Sequence, residues 1–171
     1  MIHFVTIGMV LGLSAGLTPG PLLTLLISET MKHNAGSGVR VAVSPMFTDL
    51  PIIILTLVVL SQLEAFHGVL GIISLCGAGV ICFMGWQNMN PQRFSFDDAT
   101  VEKPHSLAKG ILVNFLNPHV YLFWLGVGAP IMSRAIQVNL VSLLAFIGSF
   151  YLMLIGSKIV LALLIGRSRF L

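Results

Sequence analysis

Asp49 and Lys158 are charged residues in stretches that are otherwise apolar, and their types and positions give them chemistry to do. An ionised group in hydrocarbon is costly, so each needs a partner or a task. For Asp49 the alternatives are a site for a substrate or a proton, or a structural ion pair with Lys158. For Lys158 the further alternative is snorkelling, which its stem cannot easily manage from that depth. Two proline-centred interruptions accompany these charges. The first is Gly16-Leu17-Thr18-Pro19-Gly20-Pro21, where two prolines remove two backbone donors and bend a helix. The second is Asn114-Phe115-Leu116-Asn117-Pro118-His119, where Pro118 frees a carbonyl and two Asn amides stand ready to satisfy it. Counted from Arg40, Arg167, Glu29 and Lys109 at about 1.5 Å per residue, Asp49, Lys158, Pro19 and Asn117 all lie roughly 12 to 15 Å deep. Four unusual features thus converge near one level, the midplane of a bilayer.

The elements that must hold these residues are membrane helices. Of 171 residues, 56% are hydrophobic and only 9% charged, against about 25% charged in a soluble domain. Fifteen charges cannot coat a globule of this size, and they are bunched. Apolar runs at residues 1–28, 41–63, 65–92, 110–133 and 135–157 predict five transmembrane helices, each long enough for a crossing of about 20 residues. The fold class is therefore all-α and polytopic. Lys32, Arg40, Arg93, Lys103, Lys109, Arg167 and Arg169 fall on one side of such a topology and only Arg134 on the other. The positive-inside rule then puts the N-terminus outside and the C-terminus of this chain in the cytoplasm. A net charge of +3 reads as topology, since no basic stripe suited to nucleic acid exists. A cleaved secretory signal ending at Ser14-Ala15-Gly16 is disfavoured, because Met1-Ile2-His3 carries no Lys or Arg.

The chain divides into a first half of three helices (1–92), a cytoplasmic linker (93–109) and a second half of two helices (110–171). Pro118 follows Pro19 by 99 residues, and each half opens with an interrupted helix. With three spans between them the two elements run in opposite directions, which is the pattern of an inverted repeat of three plus two. The repeat places the counterpart of span three at about 164–191, so a sixth helix is expected to be missing from this chain. A shortened protein or completion by a second subunit, as a homo-oligomer, would account for it, and Gly148, Gly156 and Ala162 are small enough to serve a contact.

Catalysis finds little support. The five histidines (3, 33, 67, 105 and 119) are scattered over loops and helix ends, and no Ser-His or His-Glu spacing suits a reaction. Cys76 and Cys82 lie on different faces of one helix, which indicates neither a disulfide nor a metal site. We expect no enzyme, no cofactor and no bound metal. A metal-ion exporter or a membrane-embedded redox or enzyme subunit is the rival class.

At these same residues the sequence resembles the lysine exporter (LysE/RhtB) family of amino-acid exporters. Gly12-Leu13-Ser14-Ala15-Gly16-Leu17-Thr18-Pro19-Gly20-Pro21 is similar to its N-terminal signature, and Lys109-Gly110-Ile111-Leu112-Val113-Asn114-Phe115-Leu116-Asn117-Pro118-His119 to that of its fourth helix. The stretch from Gly71 to Gly85 resembles its third helix. Ser44-Pro45-Met46-Phe47-Thr48-Asp49 departs from the family's Gly-rich approach to its acidic residue, and a bend at Pro45 is expected there. Relatives of this kind usually continue through one more span. The resemblance implies a secondary transporter in the cell membrane, exporting amino acids or related metabolites, driven by an ion gradient. The mechanism it suggests is alternating access around a midplane cavity. Half-helix N-termini near Gly20 and His119 would face a substrate carboxylate, Asp49 would hold its ammonium group or a coupling proton, and Asn114 and Asn117 would orient it. The expected binding residues are Thr18, Pro19, Gly20, Pro21, Asp49, Asn114, Asn117, Pro118 and Lys158.

Overall fold

A computed structural model of the protein describes residues 2–63, 75 and 105–168. Among the described residues every regular element is helical: α1 (Ile2–Leu17), α2 (Pro21–Lys32), α3 (Ala35–Leu63), α4 (Ser106–Phe115), α5 (Pro118–Phe123), a π-helical turn (Trp124–Gly128), α6 (Ala129–Val138) and α7 (Leu140–Ser168). The expected third span, with Cys76 and Cys82, and most of the linker lie outside the described residues.

Prolines set the two breaks. Pro19 and Pro21 have no N–H to continue α1, and Pro21 instead starts α2, where a missing donor costs nothing. The two segments meet at 61°. Pro118 likewise starts α5, and α4 meets the α5–α6 segment at 56°. Among the described residues two helices, Ala35–Val58 and Leu140–Arg167, are long and apolar enough to cross a membrane, and the bent pairs raise the number to four if each is one span.

Two boundaries differ from expectation. Arg134 does not end its helix; it sits exposed in α6, which runs on to Val138. The break falls at Asn139, whose extended backbone and side-chain oxygen, 2.7 Å from the Ser142 N–H, cap α7. The helix expected at 135–157 therefore lies at 140–168, and Lys158 stands well inside it. Helix α3 continues through both Pro45 and Pro51. Pro45 orphans the carbonyl of Val41, and the Ser44 hydroxyl donates to that carbonyl at 2.7 Å.

Glycines bring α1 onto α7. Gly8, Gly12 and Gly16 recur every fourth residue on the buried face of α1. A Cβ at Gly8 would strike Ser149 Oγ, at Gly12 the backbone of Phe150, and at Gly16 Ser157 Oγ. This is the small-residue spacing by which membrane helices approach closely. Gly148 and Gly156 have open space beside them, whereas Ala162 is buried in an inner cluster with Leu22, Leu26, Val41 and Ala42. A second, larger cluster gathers Ile52, Ile53, Trp124, Met132, Phe146, Phe150 and Leu154. Leu144, Leu152 and Leu163 face outward, as lipid requires.

Candidate functional site

Asp49 lies at the middle of α3 and is 4% exposed. Its carboxylate is held by uncharged donors. Asn114 Nδ2, from α4, donates to Asp49 Oδ1 at 2.8 Å and also to Thr48 Oγ1. The Thr48 hydroxyl in turn donates to Asp49 Oδ1 at 3.1 Å, forming a chain from amide to hydroxyl to carboxylate. Asn114 can reach because α3 and α4 touch at Gly110, where a Cβ would meet the side chain of Ser44.

Aromatic side chains close the other flank. The Trp124 indole is turned toward Asp49, and the Tyr151 hydroxyl lies on the same side without hydrogen-bond geometry to a partner. Trp124 packs edge-on against Phe150 at 5.2 Å and over Tyr151 at 6.3 Å. The π-helical turn allows this placement, since the Trp124 ring occupies the space a Cβ at Gly128 would need. Pro130 follows directly and cannot donate to the carbonyl of Gly126, so a regular α-turn is not available there.

Lys158 does not pair with Asp49. The ion pairs among the described residues both belong to Glu29. Lys158, 3% exposed, donates instead to the carbonyls of Gly16 at 2.9 Å and Ala15 at 3.3 Å. Pro19 orphans the Ala15 carbonyl, so the lysine completes the C-terminal end of α1 at the first break. The structural-pair alternative for Asp49 and Lys158 is thus not the arrangement seen.

The remaining expected residues are dispersed. Thr18, Pro19, Pro21 and Pro118 are exposed, and the Thr18 hydroxyl donates to Ser14 O at 2.7 Å within its own helix end. Asn117 accepts from the His119 N–H at 3.1 Å, capping α5 and engaging that donor locally. The structure therefore brings together Asp49 and Asn114, with Lys158 nearby on the α1 carbonyls, and leaves Asn117 as a cap.

Sequence reasoning passed over Thr48, Trp124 and Tyr151. Thr48 is adjacent to the acid and was legible; the aromatic pair comes from other helices and carried no local signal. It also passed over a second buried acid. Glu29, 3% exposed near the end of α2, accepts from Ser106 Oγ and from Lys109 Nζ at 3.2 Å, with His33 Nε2 at 3.8 Å.

The pattern that defines the LysE type translocator family matches residues 13–170, a span that includes both breaks, both acids and Lys158. The chain belongs to the LysE type translocator family. No curated protein and no solved structure matches it. The translocator is accordingly a helical membrane protein of a small-molecule transport family, and its buried carboxylate is read in that setting.

Proposed function

We propose that this translocator exports amino acids, or related metabolites bearing an ammonium group, across the cell membrane by alternating access, coupled to a proton gradient. The observation that carries the reading is the Asp49 carboxylate. It is buried at the middle of a membrane-length helix, held by Thr48 and Asn114 and paired with no cation at ion-pair distance. A buried carboxylate satisfied by neutral donors keeps a place for a cation. An ammonium group suits it.

The breaks at Thr18–Gly20 and Leu116–Asn117 supply the two jointed elements. Their residues act in this reading as hinges around the site, with α1 and α4 moving relative to the helices that hold Asp49. Five spans, two inverted halves, an external N-terminus and a cytoplasmic C-terminus complete the proposed topology. Helix α2 and the start of α4 then end on the cytoplasmic side.

The test is Asp49→Asn in proteoliposomes loaded with a mixture of radiolabelled L-amino acids, with thermal stability followed in detergent. We expect export to fall at least about a hundredfold, the equivalent of about 2.7 kcal/mol, while the protein stays folded. Normal export removes Asp49 from the mechanism.

A further inference from the structure

We propose that the Tyr151 hydroxyl is a second binding group for the substrate, accepting an N–H from the ammonium group that Asp49 holds, so that the site selects primary ammonium groups over N-alkylated ones. This rests on the reading of Asp49 as the station for that group.

The hydroxyl oxygen of Tyr151 is buried and makes no hydrogen bond among the described residues. A buried polar atom without a partner is costly, and a ligand that supplies the partner accounts for its retention. Packing places this atom beside Asp49. Tyr151 lies against the cluster that contains Ile52 and Ile53, which follow Asp49 by three and four residues and so share its face of α3. Its ring stacks on that of Trp124 at 6.3 Å, and the Trp124 indole is itself turned to the carboxylate. Phe150 stands edge-on to the Tyr151 ring at 5.7 Å, so aromatic neighbours hold it on two sides. The hydroxyl faces the Asp49 carboxylate closely enough to influence it as a hydrogen-bond partner would, yet is not joined to it.

An ammonium group explains why an acid and an orphaned hydroxyl stand together. A primary ammonium group carries three N–H donors that diverge from one nitrogen. Asp49 Oδ1 already accepts from Asn114 and Thr48, so the carboxylate does not serve all three. A neutral oxygen meets the remaining need without adding charge, and one carboxylate still balances one cation. Methylation on nitrogen reverses this fit. An N,N-dimethyl group keeps a single N–H, which goes to Asp49, and Tyr151 is then left unpaired against a methyl group. Sites built to hydrogen-bond a substrate group discriminate strongly against analogues that lack it, because their own buried polar atoms lose their partner.

Tyr151→Phe keeps the ring and removes only the oxygen. The purified protein in proteoliposomes is assayed by counterflow of a mixture of radiolabelled L-amino acids, with the unlabelled mixture or its N,N-dimethyl derivatives as competitors. In the parent we expect the dimethyl derivatives to compete at least about tenfold more weakly. In Tyr151→Phe we expect KM to rise about tenfold with the maximal rate within about twofold, and the preference over dimethyl derivatives to shrink to about threefold or less. Thermal stability in detergent should not fall, since the variant removes a buried atom that has no partner in the protein. An unchanged KM, an unchanged preference, or a variant that is destabilised or fails to fold overturns the proposal; the last would mean that the hydroxyl has a structural partner. Asp49→Asn in the same assay tells the two readings apart. If Asp49→Asn is inactive and Tyr151→Phe matches the parent, only the role of Tyr151 is lost; if Asp49→Asn transports normally or the parent is silent, the ammonium station and this proposal are lost together.

Discussion

Glu29 and Asp49 are both almost wholly buried acids, and both are reached by α4, yet they are satisfied in opposite ways. Glu29 has a lysine, a histidine and a buried serine around it, so its charge is matched on the spot. Asp49 has an amide and a hydroxyl, and its nearest lysine is bound elsewhere. A carboxylate paired with a lysine and enclosed by further donors has little left for a ligand, while one held by neutral dipoles keeps its net charge available. The difference follows position: Glu29 sits three residues from the end of α2, where Lys109 can keep much of its side chain exposed, and Asp49 sits at mid-helix. Lys109 and Asn114 are five residues apart on α4, about 7.5 Å along its axis, so one short helix grips both acids.

The contrast is sharpest at Asn114. Replacing it with Leu removes the donors to Asp49 Oδ1 and Thr48 Oγ1 and leaves the carboxylate to Thr48 and the Trp124 indole. Hydrogen bonds to charged groups contribute about 1.5–3 kcal/mol, so we expect a stability loss of that order. Transport in proteoliposomes should fall at least about tenfold even where the folded protein is recovered. Normal transport by Asn114→Leu would mean that the neutral donors do not tune Asp49, and the two acids would lose their distinction.

The parts of this arrangement that were legible in the sequence are those in which a residue acts on its own segment. Pro19, Pro21 and Pro118 end and start helices by lacking a donor, and the breaks fall beside them. Asp49 announced itself by standing alone in apolar sequence. Less legible was anything fixed by rotation or by distant partners. Depth placed Asp49 and Lys158 at one level, but spacing along two helices says nothing of which way they face, and the lysine went to α1. At Pro45 the neighbouring Ser44 hydroxyl takes the freed carbonyl, within a helix that continues past it. The Gly8, Gly12 and Gly16 stripe stood in the sequence at a spacing that suits a close helix contact, but its partner, α7, is fixed only in the structure. Glu29 looked like an ordinary charge at a helix end, because Ser106 and Lys109 lie 77 and 80 residues away.

Smaller effects are expected at the outer acid. Ser106→Ala removes the buried hydroxyl that donates to Glu29, leaving the carboxylate with Lys109 and His33. The bond is to a charged group, and with Lys109 and His33 retained the loss lies at the low end of about 1.5–3 kcal/mol, which for a chain of this size lowers Tm by roughly 3–6 °C. Transport is expected to stay within about twofold of the parent, since Asp49 and its donors are untouched. A transport defect as deep as that of Asn114→Leu would place Glu29 in the moving machinery.

The smallest effect should come from Lys109→Met, and it is the most exacting test of the comparison. The Lys109 side chain is 46% exposed, so its pairing with Glu29 at 3.2 Å is screened by water and competes with hydration of the ammonium group. Exposed pairs of this kind contribute about 0.2–1 kcal/mol. Glu29 meanwhile retains the Ser106 hydroxyl and His33 as partners, so loss of the lysine does not strand a buried charge. We expect a Tm shift of no more than about 2 °C, shrinking further when the parent and the variant are compared in about 1 M salt. Transport should be unchanged. If Lys109→Met instead slowed transport strongly with Tm preserved, the ion pair would be one that breaks and reforms during the cycle. Glu29 and Asp49 would then be two stations of one mechanism, linked by the stretch of α4 from Lys109 to Asn114.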